Sequence, residues 1–238
     1  MSEVPDLTVV LMTYNEVDCL AQVAGELLGA LAELGRPAEL LIINDGSTDG
    51  SAELAERLAR EHAQVAVVHH PNNLGLGGVY RSGFNHARGH FVTFFPADGQ
   101  FPASILADFR ASAESADLVL GYLPERRGTP VALALSLAER LLYRALLGPM
   151  PRFQGVFMLR RELLDRIALG SEGRGWAIIM EMALRVSRGN YRVVTRPTPY
   201  RARLAGRSKV TNARSALANL QQLFALRRIL RNGSVRSS

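Results

Sequence analysis

From Leu7 to Gly121 the chain alternates short apolar, β-rich runs with longer segments whose apolar residues recur at helical spacing. The runs are Leu7–Met12, Leu40–Ile43, Val65–His69, Phe91–Phe95 and Leu118–Gly121. Between them lie helical stretches at Val17–Leu34, from a cap at Ser47 or Thr48 to about His62, at Gly75–Ala87, and after Pro102. Gly35 and Pro37 stop the first of these, because glycine accepts the left-handed cap conformation and proline cannot continue a helix. Leu40–Ile43 is apolar at every position, as expected of a strand covered on both faces. Strand–helix alternation of this kind predicts an α/β fold, with a mostly parallel sheet and helices on both faces. After Pro124 the rhythm changes. Glu125–Pro130 reads as a charged linker, Val131–Leu147 as an amphipathic helix and Val156–Leu159 as a short strand. Trp176–Ser187 reads as a helix, Tyr191–Arg196 as a strand, and Ala213–Leu230 as a last amphipathic helix, with its leucines and Phe224 on one side and arginines elsewhere.

In sheets of this type ligands bind outside the carboxyl ends of the strands, so the residues that follow each strand carry the chemistry. Phe94-Phe-Pro-Ala-Asp98-Gly-Gln100 ends the fourth strand with a carboxylate and an amide, oxygen donors suited to Mg²⁺ or Mn²⁺. A cation there can hold a diphosphate while its bond breaks. The second strand also ends in an acidic turn, Asp45-Gly-Ser-Thr-Asp49, and the first ends in Thr13-Tyr-Asn-Glu16. Polar groups with an aromatic at that place can cradle a base or ribose, and Asn15 is equally a helix cap. Gly75-Leu-Gly-Gly78 opens a helix but has Tyr80 where a dinucleotide fingerprint needs its third glycine, so it reads as a close-packed helix entry. His69 and His70 are adjacent on a strand and point to opposite faces, a poor start for one metal. Glu181 stands alone in an apolar segment, which calls for either a general base or an ion pair with a nearby arginine. Arg201-Ala-Arg203-Leu-Ala-Gly-Arg-Ser208-Lys209 is a dense basic loop able to grip phosphate.

Composition narrows the partners. The formal charge is +6, and from Gly189 onward there is no acidic residue, which fits a polyanionic partner. No helix-turn-helix, zinc-finger or aromatic RNA-binding signature accompanies the charge, so nucleic acid is not expected. The single cysteine, Cys19, excludes an internal disulfide framework and fits a reducing compartment. No apolar run approaches the length of a membrane span, and the start of the chain lacks a secretory pattern. A cytoplasmic protein, peripheral at the inner membrane face, is the expectation.

Taken in order, these motifs resemble the family 2 glycosyltransferases of GT-A fold, and among them the dolichyl- or polyprenyl-phosphate sugar transferases. The matching stretches are Val9–Glu16, Leu41–Asp49, Asn73–Gly77, Pro96–Gln100, Gly155–Glu162, Glu181 and Arg201–Lys209. They span Leu7 to Val210, so residues 1–210 would form the transferase domain and 211–238 a C-terminal amphipathic helix with a basic tail. The resemblance implies a nucleotide-diphosphate sugar donor, an inverting transfer and a polyprenyl phosphate or similar lipid acceptor. Thr13, Tyr14, Glu16, Asp45 and Gly75 would hold the donor, together with Asp98, Arg201, Arg203, Ser208 and Lys209. Asp98 and Gln100 would bind the cation, and the catalytic set would be Asp98, Glu181, Arg203 and Lys209. Helices Val131–Leu147 and Ala213–Leu230 would touch the membrane or pack on the sheet or a partner subunit, an oligomer being compatible with either. The chain departs from the family pattern at Pro96, at Asn44 and around Pro151, where aspartates are usual, so a weakly held cation is expected. Two other readings stay open: transfer to a soluble or secondary-metabolite hydroxyl with Glu181 as base, and a nucleotide-binding protein with a degenerate site.

Overall fold

The computed structural model describes residues 4–124, 141–153, 155–204 and 213–233, with side chains at all of these but 213–220, 232 and 233. In chain order the elements are β1 (Leu7–Thr13), α1 (Val17–Leu34), β2 (Ala38–Asn44), α2 (Ser51–Glu61), β3 (Val65–His69), α3 (Gly75–His86), β4 (Phe91–Pro96), α4 (Ile105–Ala113) and β5 (Leu118–Tyr122). Then come the helical residues 141–147 (α5), β6 (Phe157–Arg160), α6 (Leu163–Arg166), α7 (Ala177–Arg188), β7 (Val193–Pro197) and α8 (Ala213–Gly233). Seven strands form one sheet in the order β3-β2-β1-β4-β6-β5-β7. Strand β6 runs antiparallel to both its neighbours, while every other pairing is parallel. The expected α/β, GT-A-like sheet is therefore present, with one reversed strand inside it.

Two helical layers cover the sheet, and the period-two alternation of each strand feeds both. Val9, Leu11, Leu40 and Ile42 pack with α1, α2 and α4, whereas Val10, Leu41 and Ile43 pack with α3, α6 and α7. Burial of each such side chain is worth about 1.5–3 kcal/mol relative to exposure. On the second face Tyr80, Phe94 and Phe157 cluster, with Phe94 centred 4.9 Å from Tyr80 and 5.4 Å from Phe157 and the outer two 6.0 Å apart. Tyr80 is buried in this cluster, and burial holds its phenol well above the ordinary tyrosine range. The close-packed reading of the Gly75–Gly78 helix entry follows from this. A methyl on Gly77 would lie 1.9 Å from the Gly173 carbonyl oxygen, so only glycine lets the two backbones meet.

At the opposite, amino ends of the strands, Arg110 of α4 forks Asp6 with hydrogen bonds of 2.6 and 2.7 Å. The hydrogen bond from Arg110 is the main reason that the Asp6 carboxyl sits below the usual range.

A third, smaller core forms where α8 crosses α7 and α5, around Leu147, Leu184, Leu223 and Leu226. Phe224 does not share that side. It is 53% exposed and lies on the outward face with Arg227, Arg228 and Arg231, as the three- and four-residue spacing requires. Of the expected helix Val131–Leu147, residues 141–147 are helical, and the remainder lies outside the described residues. Among the described residues no helix is long and apolar enough to cross a membrane.

Candidate active site

Strand order reverses between β1 and β4, since the chain leaves β1 for β2 on one side and returns to β4 on the other. Thr13 and Pro96 end these two strands, and the crevice beyond them is where a sheet of this kind takes a ligand. The loop after β1 is fastened to the loop after β2. Asn15 adopts the left-handed conformation, φ 51°, which asparagine tolerates better than most residues. Its side-chain oxygen accepts the Thr48 N–H at 2.8 Å, and its own N–H donates to Ser47 Oγ at 2.9 Å. The Glu16 and Val17 N–H groups, which open α1, donate to Ser51 Oγ and Asp49 Oδ2 at 3.1 Å each. Asn15 therefore does not cap α1, and neither Ser47 nor Thr48 caps α2. The cap positions are Glu16 and Gly50, and the opening N–H groups of both helices are met from the flanking turn, because Asp49 Oδ1 also accepts the Ser51 N–H at 3.0 Å. Burial pushes the Asp49 carboxyl upward, but its hydrogen bonds from Ser51 and Val17 outweigh this and leave it below the ordinary range. Thr13 is buried, and its Oγ1 has no hydrogen-bond partner among the described residues, while Tyr14 above it is 36% exposed at the rim.

Asp45 lies beneath this rim, 2% exposed. Its Oδ1 accepts the Leu74 N–H at 2.8 Å, and its Oδ2 the Gly75 N–H at 2.9 Å. His70 Nδ1 stands 2.7 Å from Oδ1, and the other ring nitrogen 2.7 Å from Ser82 Oγ. Asp45 thus shapes the β3–α3 turn, with Gly75 at φ 74° inside it. His69 faces the other way, toward Asn44 and Glu56, as adjacent strand residues must. His70 was not singled out as a site residue from the sequence. The usable signal is register: β3 pairs Asn44 with His69, which sets His70 beside Asp45.

The third wall is the turn after β4 and the strap laid across it. Gln100 N–H donates to Asp98 Oδ1 at 3.1 Å, closing the turn around Gly99 at φ 72°. Arg201 N–H donates to the Gln100 carbonyl at 2.9 Å and Leu204 N–H to the Asp98 carbonyl at 3.2 Å, so residues 200–204 run along the turn. Leu204 fills the space over Gly99, where a methyl would lie 2.3 Å from its Cδ1. Arg201 reaches Glu26 at 2.6 Å and the Gly99 carbonyl, and Gln100 donates to the Tyr200 hydroxyl. Arg203 enters the centre. Its guanidinium pairs with Glu16 and lies 3.5 Å from Asp98 Oδ2, all three side chains being at most 19% exposed.

Predicted residues Glu16, Asp98 and Arg203 therefore converge directly, with Gln100 and Arg201 beside them and Thr13, Tyr14, Asp45 and Gly75 along the adjoining loops. Ser208 and Lys209 lie outside the described residues. The loop carrying the Pro151 departure packs at the far rim, where Gly155 admits the Phe101 ring against its backbone. Glu181 stands apart from this convergence. It is 0% exposed on α7; its oxygens accept the Gly170 and Ser171 N–H groups at 3.1 and 2.8 Å and Arg185 Nε at 2.8 Å. It forms the ion pair with a nearby arginine that its apolar surroundings call for, and it is sealed from solvent. Among the described residues no three His, Cys, Asp or Glu side chains gather as a metal cage. The acidic oxygens nevertheless converge on a positive group, the Arg203 guanidinium, and as hard donors around a cation they fit Mg²⁺ or Mn²⁺.

Residues 8–168 match the family model described as Glycosyl transferase family 2. Undecaprenyl-phosphate mannosyltransferase from Micrococcus luteus is 30% identical over 213 residues, 85% of this chain and 86% of that protein. Polyprenol monophosphomannose synthase from Mycolicibacterium smegmatis is 30% identical over 224 residues, 88% of this chain and 83% of that one. The fold is also that of glucosyl-3-phosphoglycerate synthase from Mycobacterium tuberculosis, solved with Mn²⁺, uridine diphosphate and phosphoglyceric acid. The two align with a TM-score of 0.65 and 18% identity, over 92% of this chain and 78% of that one. A mannosyltransferase from Pyrobaculum calidifontis, solved with GDP-Man and Mn²⁺, aligns at TM-score 0.57 and 18% identity, over 98% and 76% of the two chains.

Proposed function

Because this chain belongs to glycosyl transferase family 2 and is a glycosyltransferase, we propose that it moves a sugar from a nucleotide-diphosphate donor to a polyprenyl phosphate at a membrane surface, inverting the sugar's anomeric carbon. The observation that carries this reading is the convergence of Glu16, Asp98 and Arg203 at the β1–β4 switch point, under a cationic strap. Tyr14 and Glu16, on a loop whose shape Asp45 and Asp49 maintain, hold the nucleotide. Asp98 and Gln100 would hold a divalent cation, Mg²⁺ or Mn²⁺, which would supply charge neutralisation for the departing diphosphate. Arg203, with Ser208 and Lys209 of the same basic stretch of sequence, grips the phosphates of donor and acceptor.

The acceptor needs no strong base, because a phosphate monoester oxygen is already anionic at neutral pH. That oxygen attacks the anomeric carbon from the face opposite the leaving diphosphate, forming the new C–O bond as the old one breaks. What the protein supplies is alignment and fixed positive charge in a site that needs no reorganisation. The sealed position of Glu181 agrees with a phosphate acceptor and leaves transfer to a hydroxyl without its base. Membrane contact falls on the exposed Leu141 and Leu142 of α5 and on the Phe224 side of α8, whose Arg227 and Arg228 are placed for lipid phosphates. The protein would then sit peripherally at the cytoplasmic face.

The deciding experiment supplies radiolabelled UDP- and GDP-sugars, Mn²⁺ and a C55 polyprenyl phosphate in detergent. Label moving into the lipid fraction, and lost in Asp98→Ala, is the expected result. Nucleotide binding without any transfer, unchanged by metal and by that substitution, would replace this reading with the degenerate-site one.

A further inference from the structure

Arg203 sits against the carboxylate that the proposed reaction assigns to a metal ion. Its guanidinium pairs with Glu16 on one side and lies 3.5 Å from Asp98 on the other. Asp98 is the carboxylate assigned above to the cation, and the position two residues before it is Pro96, which offers no oxygen side chain. The acidic charge here is shared between Glu16 and Asp98, and one guanidinium spans both. The strap holding Arg203 is fastened independently of it. Leu204 N–H binds the Asp98 carbonyl, Arg201 N–H binds the Gln100 carbonyl, and Arg201 is paired with Glu26. Arg203 is thus delivered by a pinned backbone and can change partners without the strap being remade.

Resting on the transferase reading above, we infer that Arg203 is an internal counter-cation that determines when the metal position is filled. In the donor-free protein it neutralises Glu16 and Asp98, and a divalent ion must displace it against like-charge repulsion. The donor brings the missing negative charge. A diphosphate accepts a bidentate guanidinium at least as well as a carboxylate does. Its arrival therefore draws Arg203 off Asp98 and leaves that oxygen to the metal. Metal and nucleotide then bind with positive coupling, and by linkage the factor is the same whichever binds first. A coupling of this origin is commonly about 5- to 150-fold. The device keeps a weakened acidic turn from holding a cation until there is a diphosphate for it to serve.

The test measures Mn²⁺ affinity by the loss of the free-ion electron paramagnetic resonance signal, in the full chain and in Arg203→Gln, with and without UDP or GDP. Without nucleotide, Arg203→Gln is expected to bind Mn²⁺ about tenfold tighter than the parent chain, and Arg203→Lys to fall between them, since lysine keeps the charge but not the fork. The nucleotide-induced gain in Mn²⁺ affinity should shrink by about the same factor in Arg203→Gln. Thermal unfolding midpoints of the variants verify that each is folded. Mn²⁺ affinity that is unchanged or weaker in both variants would overturn the inference. If neither nucleotide binds the parent chain, the transferase reading fails, while the comparison with Mn²⁺ alone still decides the role of Arg203.

Discussion

Glu181 offers the sharpest separation between a structural and a chemical role. Replacing it with alanine removes acceptors for the Gly170 and Ser171 N–H groups and for Arg185 Nε, all within 3.1 Å. Breaking one side of a buried ion pair costs about 3–5 kcal/mol, and each orphaned buried N–H adds to the pressure. Arg185 keeps a 21% exposed side chain and can turn to water, which places the expected loss near the lower end, at about 3 kcal/mol. For a chain of this size each kcal/mol moves the midpoint by about 2–4 °C, so Glu181→Ala should melt about 10 °C lower. Glu181→Gln keeps the volume and one acceptor and should lose roughly half as much. Urea unfolding at pH 7 and calorimetry measure both. Sugar transfer by the glutamine variant, assayed well below its midpoint, should stay within a few-fold of the parent. A general base would behave in the opposite way, with kcat falling about 10²- to 10⁴-fold at unchanged stability. An unaltered midpoint combined with such a loss would refute the structural assignment and revive the hydroxyl acceptor.

The acidic pairs, His70 and the outward face of α8 each carry an expected outcome. Asp6 and Asp49 have folded-state values below those of the unfolded chain, so each contributes stability that is complete above the ordinary carboxylate range and is lost as pH falls through the folded value. Urea midpoints should fall steeply below about pH 4, and Asp6→Asn should flatten that descent. His70→Ala takes a partner from Asp45 and from Ser82, and it is expected to cost about 1–3 kcal/mol and to raise the donor KM about tenfold with little change in kcat. An unchanged KM would show that the β3–α3 turn does not bear on the donor. Flotation with anionic vesicles should carry the protein upward, and Phe224→Ser with Arg227→Gln and Arg228→Gln should leave it at the bottom of the gradient.

The first half of the fold could be read from the chain because each element announces itself locally. An apolar run covered on both faces and a helix ended by Gly35, at φ 61°, leave little choice of boundary. The four residues of β6 carry no such mark. Nothing in Phe157–Arg160 says that it will run backward between β4 and β5, because strand direction is decided by where the preceding chain re-enters the sheet. Phe224 shows the same limit from another side. Leucine spacing predicts an amphipathic helix, but only the packing against α5 and α7 fixes which stripe turns inward. In the site, the positions of Asp98 and Glu16 follow from their places at strand ends. What occupies their oxygens does not, because Arg203 arrives from a segment over a hundred residues further on. Glu181 is ambiguous in sequence for a simple reason. A base and a structural anchor both require a carboxylate in an apolar run, and Arg185 four residues on is the one local hint of the second.

The first helix takes the acceptors for its opening turn from Asp49 and Ser51, more than thirty residues downstream. During synthesis those N–H groups can only face water until the second strand has paired and the turn behind it has formed. A fragment ending before Asp49 would therefore carry a frayed start to this helix, with Tyr14 and Glu16 unplaced. The nucleotide rim is consequently an all-or-nothing product of two successive strand–helix units, and splitting the gene between them should leave neither half able to grip a donor.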